Sequence, residues 1–305
     1  MQDFIIKTST GDEIEVYAEQ LVKKSNQGTI VAGKHLGTNE DVVVKISHPF
    51  SLINDTDHTA GDKTHVLREL EILPQLSGVD GIPKFIASHK LVEPGKNERY
   101  IFAMSKVNGI DFEERRKQDT ERRLTCAEAT DLLKQVGLIL QQAHERDIIH
   151  RDLKLSNFMI SPDGKISIVD WGTAKHISQP KDSFSGSTPD HTVIGTVQFV
   201  SYEQITGQKL DQRTDIYSLG AVTALLRYGP KISQRYVIDE QGTVTQREKG
   251  KIAKAVAARE TLKYELFPKP EDDCERTLQA VLKKMTDPDK EKRFQSMRAM
   301  IEAIS

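Results

Sequence analysis

The stretch IIHRDLKLSNFMI, residues 148–160, places a dense polar cluster between two apolar runs. The polar residues are His150, Arg151, Asp152, Lys154 and Asn157. A polar group that is buried costs free energy unless it finds a partner. The chain must fold so that this cluster is satisfied, so the cluster is either a costly accident or a functional site.

A second apolar run, ISIVDWG, follows the cluster and ends at Asp170. The turn sequence SPDG separates the two runs, so we predict a β-hairpin with Asp170 at its edge. Asp152, Asn157 and Asp170 would then approach one another. Two carboxylates and a carboxamide oxygen suit Mg²⁺ that is bound together with substrate phosphates. Turn chemistry alone would explain one or two of these residues but not the ordered set.

The first third of the chain, residues 1–107, has the pattern of short strands. DFIIKT, DVVVKI and RYIFAMS carry β-branched and aromatic residues between turn signals. One helical stretch, KTHVLRELEILPQL, interrupts them. Lys45 follows three valines on a strand, and Glu69 on that helix is the partner that a buried lysine needs. A surface ion pair, which contributes little, is the alternative.

The remaining two thirds have the pattern of helices. CAEATDLLKQVGLILQQAHERD is amphipathic, and Thr125 with Glu128 forms a capping-box pattern at its start. TDIYSLGAVTALLRYG is apolar all round and predicts a buried helix, while CERTLQAVLKKMTD is amphipathic and ends before Pro288. Strands followed by helices predict an α+β fold with two lobes. We expect one domain over residues 1–305, with a small, mostly β N-lobe to about 107 and a larger, mostly α C-lobe from about 108.

Charge and cysteine content narrow the class of protein. The net charge is −2 and both signs are mixed along the chain, so we expect neither nucleic acid nor a membrane as partner. No leader-like pattern or long apolar run is evident. Cys126 and Cys274 lie far apart without metal-type spacing, so we expect no disulfide framework and a soluble, cytoplasmic protein, with a secreted effector left open. His144 and His191 are expected on the surface.

Taken in order, these motifs resemble the eukaryotic-type protein kinase superfamily. HRDLKLSN resembles the catalytic loop, DWG stands where Asp-Phe-Gly is usual, and VVVK resembles the lysine strand. GTVQFVSYEQ resembles the end of the activation segment, DIYSLG the buried aspartate helix, and DKEKRF the segment with a structural arginine. The order and spacing hold across residues 18–300, which implies the bilobal kinase fold.

The resemblance implies a serine/threonine protein kinase that transfers the γ-phosphoryl group of ATP to protein hydroxyl groups. Asp152 would accept the proton of the substrate hydroxyl, and Lys154 would contact the γ-phosphate. The lysine after HRDL favours serine or threonine over tyrosine as acceptor. Thr196, which would face Asp152, supports the same assignment.

The resemblance also implies ATP and Mg²⁺ as cofactors, with Mn²⁺ as an alternative ion. Lys45, held by Glu69, would bind the α- and β-phosphates, and Asn157 and Asp170 would hold the metal.

Further contacts to the nucleotide would come from a set of mostly apolar residues. Ile30 and Val43 would cover the adenine from above and Met159 from below, with Met104 as gatekeeper. Ser105 and Val107 would offer backbone hydrogen bonds, and Asp111 would reach the ribose. The full set is Gly28, Ile30, Val43, Met104, Ser105, Val107, Asp111 and Met159. Gly28 is the one glycine that survives in the loop KKSNQG, where the family has three, so ATP would bind more loosely.

Regulation by a phosphorylated loop also follows from the resemblance. Thr192 lies at the family's usual phosphorylation position, and we expect its autophosphorylation. Phosphate there would pair with Arg151 and Lys175 and order the segment.

Three other residues are expected to be structural. Glu203 and Arg293 would form a buried salt bridge, and Asp215 would tether the catalytic loop from its helix.

Two alternative functions stay open. A pseudokinase or ATP-binding scaffold is indicated by the poor glycine loop, although every phosphoryl-transfer residue is present. A small-molecule kinase would share the metal and lysine chemistry but lack a long activation segment, so residues 170–203 favour a protein substrate. The sequence does not identify that substrate or the oligomeric state.

Overall fold

The computed structural model describes residues 4–7, 11, 13–25, 28–47, 60–91, 98–178, 199–233 and 264–305. The chain forms two compact units. The N-terminal unit contains Met1–Asn108 together with Asp170–Thr173. The C-terminal unit contains the other described residues, from Gly109 onwards.

The N-terminal unit is built on an antiparallel sheet of six strands, ordered β1-β2-β3-β4-β6-β5. The strands are β1 Phe4–Lys7, β2 Glu13–Ser25, β3 Gly28–His35, β4 Glu40–Ser47, β5 Phe85–Leu91 and β6 Arg99–Ser105. Helix α1, Ala60–Gln75, connects β4 to β5. The predicted strands and the one predicted helix of this region are therefore confirmed.

The side chains of strand β4 alternate between the apolar core of the sheet and the opposite surface, which carries Lys45. Val42 and Val44 are fully buried and belong to the apolar core of the sheet. Successive side chains of a strand point to opposite faces, so Val43 and Lys45 share the other face. Ile30 lies opposite Lys45 in the register of β3 and β4, which brings these three residues together on one surface.

The C-terminal unit is mainly helical. Its helices are α2 Phe112–Gln118, α3 Cys126–His144, α4 Tyr202–Thr206, α5 Arg213–Tyr228, α6 Asp273–Met285 and α7 Met297–Ile304. Its short strands are β7 Ile110–Asp111, β8 Ile148–Ile149, β9 Phe158–Ile160, β10 Ile166–Ile168 and β11 Lys175–His176. β9 and β10 form the predicted hairpin, with Ile160 paired to Ile166.

The two long helices of this unit begin and pack as their sequences predict. Thr125 and Glu128 form a capping box, since each side chain accepts a hydrogen bond from the other residue's backbone N–H. Helix α5 is buried on every side from Thr214 to Leu226, which confirms the interpretation of its apolar sequence. No helix in the described ranges is long and apolar enough to cross a bilayer.

Cys126 and Cys274 form a disulfide, so the expectation that these cysteines belong to no disulfide framework was wrong. Helices α3 and α6 pack with their N-terminal ends together, which brings the two Cα atoms to 6.4 Å. That distance lies within the range a disulfide can bridge. The pair is 148 residues apart in sequence, so no local spacing could reveal it.

Because α5 and α6 cross closely at Gly220, we predict that alanine is tolerated less well there than at Gly137. A Cβ atom at Gly220 would lie 2.8 Å from Met285 Cβ and 2.8 Å from Thr286 Cγ2, which are held close to their backbone. A Cβ atom at Gly137 would instead meet Met300 Cε at 2.8 Å, the free end of a flexible side chain. Overpacking costs about 1–3 kcal/mol, whereas replacing a helical glycine by alanine gains about 1 kcal/mol.

We therefore expect Gly220→Ala to lower the free energy of unfolding in urea, and Gly137→Ala to leave it unchanged or higher. Equal stability of the two variants would show that α5 and α6 do not cross this closely.

Candidate active site

A buried lysine lies between two carboxylates in the N-terminal unit. Lys45 Nζ is 2.5 Å from Glu69 Oε2 and 3.8 Å from Asp170 Oδ1. Burial acts to lower the pKa of Lys45, but the nearby charges of Glu69 and Asp170 outweigh it and raise the pKa above its ordinary value. Lys45 therefore stays protonated at neutral pH, as a fixed positive charge on the face of the sheet that also carries Val43.

Helix α1 places Glu69 in this cluster. Val66 and Leu73 lie three and four residues away along the helix and are buried, so Glu69 belongs to the same inward face. Its carboxylate also accepts the backbone N–H of Trp171, a fully buried residue of the DWG motif. Arg68 donates to the carbonyl oxygen of Gly172 at 3.4 Å, so α1 holds the DWG segment at two points.

Asp170 has an unusual backbone conformation, with φ of 64°. A non-glycine residue in this region carries strain of about 1–3 kcal/mol, which the surrounding contacts must offset. The bonds from α1 to Trp171 and Gly172 lie directly after Asp170 and supply such contacts. One third of the Asp170 side chain remains exposed, so its carboxylate is accessible to a ligand.

The C-terminal unit orders the HRDLKLSN segment through its own hydrogen bonds. Lys154 Nζ donates to Asp152 Oδ2 at 2.6 Å, and Asn157 Nδ2 donates to the backbone carbonyl of Asp152 at 2.8 Å. Because the amide nitrogen of Asn157 is used in this way, its oxygen is the atom left for another partner. The hairpin is tied to the same segment, since Val169 N–H donates to Asn157 O at 2.9 Å.

Asp215, which has no exposed surface, anchors this segment from α5. It accepts hydrogen bonds from the backbone N–H groups of His150 and Arg151, each at 2.9 Å. His144 Nε2 lies 2.9 Å from the same carboxylate, so the expectation of a surface position for His144 was wrong. Burial acts to raise the pKa of Asp215, but the hydrogen bonds and nearby histidines lower it below its ordinary value.

Arg151 has a positive φ of 70°, and its peptide groups are fixed on both sides. Asp215 binds its N–H, and Gln204 Nε2 donates to its carbonyl oxygen at 2.8 Å. The sequence reasoning did not identify Gln204. A signal was present, because Ser201 and Gln204 fit the Ser-x-x-Gln capping pattern that they form at the start of α4.

Glu203 and Arg293 form a bidentate ion pair with N–O distances of 2.8 and 2.9 Å, and both are buried. Thr214 Oγ1 donates to the same Glu203 carboxylate at 3.0 Å. The guanidinium also lies over the Tyr217 ring, 4.8 Å from its centre. Both charges are thus fully paired, as a buried salt bridge requires.

The residues assigned to the nucleotide are distributed over both units. In the N-terminal unit Gly28 begins β3 opposite Ser25, while Ile30, Val43, Met104 and Ser105 lie on neighbouring strands and Val107 follows them. In the C-terminal unit Asp111 pairs with Met159.

Two of these residues already use polar groups elsewhere. Ser105 N–H donates to the carbonyl of Lys84 at 2.9 Å, so a hinge hydrogen bond from Ser105 would have to come from its carbonyl. Asp111 Oδ1 caps α2 by accepting from Glu114 N–H at 2.7 Å, and its ribose contact stays a prediction.

The regulatory residues are only partly placed. Lys175 is half-buried on β11, opposite Ile149. Thr192 and Thr196 lie outside the described residues, as does His191.

Comparison with known proteins adds an independent finding. The family model for the protein kinase domain matches residues 20–303. A probable serine/threonine-protein kinase PknB of Corynebacterium glutamicum is 38% identical over 128 residues, which are 42% of this chain and 19% of that protein. Serine/threonine-protein kinase PknA of Mycobacterium tuberculosis is 34% identical over 128 residues, or 42% of this chain and 28% of the relative. The chain thus spans less than a third of the length of these curated relatives.

The anchoring role of Asp215 can be tested by hydrogen exchange. Asp215→Asn removes the charge that three donors share, and a hydrogen bond to a charged group contributes about 1.5–3 kcal/mol. We expect lower stability and faster exchange of the His150 and Arg151 amides, measured by NMR or mass spectrometry.

Asp211→Asn is the matched control at the same end of α5. Asp211 contacts Arg213 and Lys290 instead of the HRDLKLSN segment. It should destabilise the protein without raising exchange at His150 and Arg151. Equal exchange in the two variants would show that Asp215 is not the anchor.

Proposed function

The chain belongs to the protein kinase domain family, and we propose that it transfers the γ-phosphoryl group of ATP to serine or threonine hydroxyls of a protein substrate. The observation that carries the proposal is the cluster of Lys45, Glu69 and Asp170, in which the first two are buried and the Asp170 side chain is one-third exposed. Removing Lys45 and Glu69 from water costs several kcal/mol, which their pairing has to offset. The exposed carboxylate beside this fixed ammonium is where a polyphosphate ligand with its metal ion would bind.

Lys45 is suited to bind phosphate oxygens. Its raised pKa keeps the ammonium charged, and Glu69 fixes its position at 2.5 Å. Phosphoryl transfer depends mainly on positioning and on neutralising negative charge, so a rigid cation contributes directly.

The donor chemistry of Asn157 and Asp170 fits Mg²⁺. A carboxamide oxygen and a carboxylate are hard oxygen ligands, which this ion prefers. Among the described residues, no group of three or more His, Cys, Asp or Glu side chains could hold an ion by itself. The remaining ligands would be phosphate oxygens and water, and the bound ion would neutralise charge on the β- and γ-phosphates.

Asp152 and Lys154 supply the acceptor side of the reaction in this proposal. The Asp152 carboxylate is 8% exposed and can orient a hydroxyl group and take its proton. Lys154 bonds to Asp152 at 2.6 Å, which keeps a positive charge beside the reacting group. The ammonium would then contact the transferring phosphoryl group.

The partner in this proposal is a protein, and neither nucleic acid nor a membrane. The net charge of −2 with mixed signs supports this choice. The cytoplasm is the proposed location because ATP and protein acceptors meet there. Cysteine usage does not support this location, since Cys126 and Cys274 are paired.

Phosphoryl transfer is tested with purified protein, labelled ATP, Mg²⁺ and a generic protein acceptor. Lys45→Met, Asp152→Asn and Asp170→Asn should each reduce transfer by about 100-fold or more, because each removes a group that stabilises or positions the reaction. Calorimetry should show that Asp152→Asn still binds ATP.

Lys34→Met, on the neighbouring strand β3, is the control and should retain activity. ATP binding without transfer by the unaltered protein would favour a scaffold and contradict the proposal. Transfer that survives Asp152→Asn would contradict the assigned chemistry.

We also propose that Thr192 is autophosphorylated. A phosphate on Thr192 would carry close to two negative charges and could pair with Arg151 and Lys175. After incubation with ATP, mass spectrometry should find phosphate on Thr192, and none when Asp152→Asn is incubated alone. Thr192→Ala should lower activity on a protein acceptor. Full activity with unmodified Thr192 would contradict this mechanism.

A further inference from the structure

Two carboxamide side chains hold the backbone on either side of Asp152. Asn157 Nδ2 donates to the carbonyl oxygen of Asp152 at 2.8 Å. Gln204 Nε2 donates to the carbonyl oxygen of Arg151, also at 2.8 Å, and that oxygen belongs to the peptide group that joins Arg151 to Asp152. The N–H of the same peptide group donates to His150 Nδ1 at 3.3 Å. Of these partners, Gln204 is the one that comes from a distant part of the sequence, on helix α4.

The direction of the Asp152 side chain depends on these bonds. A Cβ atom leaves the backbone in a direction set by the N and C atoms on either side of it, and here each of those atoms belongs to a peptide group whose oxygen a carboxamide holds. Asp215 cannot replace Gln204, because it binds the N–H of Arg151, which belongs to the preceding peptide group. Arg151 is also strained, with φ of 70°, and strained backbone persists only where contacts determine it.

Ser201 fixes the orientation of the Gln204 amide. Gln204 Oε1 accepts a hydrogen bond from the backbone N–H of Ser201 at 3.1 Å, so Nε2 is turned towards Arg151. Ser201 and Gln204 are both buried. Exchanging the amide oxygen and nitrogen would therefore place donor against donor and acceptor against acceptor, without water to satisfy them.

The same amide links the backbone before Asp152 to the segment GTVQFVSYEQ, which the structure describes from Phe199 onwards. The carbonyl oxygen of Phe199 accepts a hydrogen bond from Ser218 Oγ of α5 at 2.8 Å, so this part of the segment has its own anchor. Gln204 thus joins two stretches of backbone that are each held by α5. A residue that merely fills space would not need both ends of an amide.

We propose that Gln204 is a positioning residue for phosphoryl transfer, which holds the peptide group before Asp152 so that the carboxylate can take the proton of the acceptor hydroxyl. This role rests on the proposed function, in which Asp152 is the base. Gln204 acts through the backbone and not through contact with the nucleotide. A base that is displaced from its productive position loses much of its effect, so the contribution of Gln204 falls on the rate of the chemical step.

Gln204→Met tests this role, with Gln279→Met as the matched control. Gln204 is 8% exposed and Gln279 5%, and Gln279 Nε2 likewise donates to a backbone carbonyl, that of Pro268, at 2.9 Å. Methionine has a similar length but no N–H donor. Both variants should unfold at lower urea concentration. Gln204→Met alone should lower kcat, by about ten- to a hundredfold, and leave the KM for ATP unchanged.

Hydrogen exchange, measured by NMR, gives a readout that does not depend on kinase activity. In Gln204→Met the Asp152 amide should exchange faster while the Arg151 amide stays protected, because Asp215 still binds the latter. A general loss of stability, as in Gln279→Met, should change the exchange of both amides alike.

Gln204→Glu separates the two ends of the amide. A carboxylate can still accept the Ser201 N–H, but it places an oxygen instead of an N–H donor against the Arg151 carbonyl. We expect kcat to fall at least as far as in Gln204→Met, while the Ser201 amide stays protected. If Gln204→Met does not fold, this variant carries the test, because it keeps the bond to Ser201.

Two results would overturn the positioning role. One is wild-type kcat in Gln204→Glu, and the other is a Gln204→Met variant that matches Gln279→Met in both kcat and amide exchange. Selective exchange at Asp152 with no kinase activity in any form of the protein, wild type included, would instead count against the proposed function. It would support the hold of Gln204 on the Asp152 backbone.

Discussion

The C-terminal unit depends on one buried carboxylate. Asp215 has no exposed surface, and an unpaired charge in such a place would cost several kcal/mol. Two backbone N–H groups and one imidazole satisfy it, and two of these donors belong to the HRD segment. The same bonds that make the charge tolerable fix the backbone that positions Asp152. The same hydrogen bonds therefore stabilise the fold and set the geometry of the candidate site.

Backbone strain lies at two positions of the candidate site, and each is held by nearby hydrogen bonds. Arg151 and Asp170 have positive φ values of 70° and 64°. Asp215 and Gln204 bind the peptide groups of Arg151, and α1 binds the residues directly after Asp170. Strained residues persist only where surrounding contacts determine them, so these bonds fix the backbone on both sides of the candidate site.

Local sequence signals predicted local structure well. The capping box of Thr125 and Glu128, the buried α5 and the β9–β10 hairpin all follow from patterns a few residues long. Contacts between distant segments were harder. Cys126 and Cys274 are 148 residues apart and His144 and Asp215 are 71 apart, and no periodicity encodes such pairs. Lys45 and Glu69 were an exception, because a lysine among valines requires a buried partner.

The disulfide has one more consequence, which concerns the unfolded chain. Joining residues 148 positions apart restricts the denatured ensemble, and a loop of this length contributes about 5 kcal/mol of stabilisation in a chain-entropy account. That amount is comparable to the whole stability of many domains. Thiols in the surroundings would then set how often the polypeptide opens to proteases, and so how long each molecule survives in the cell.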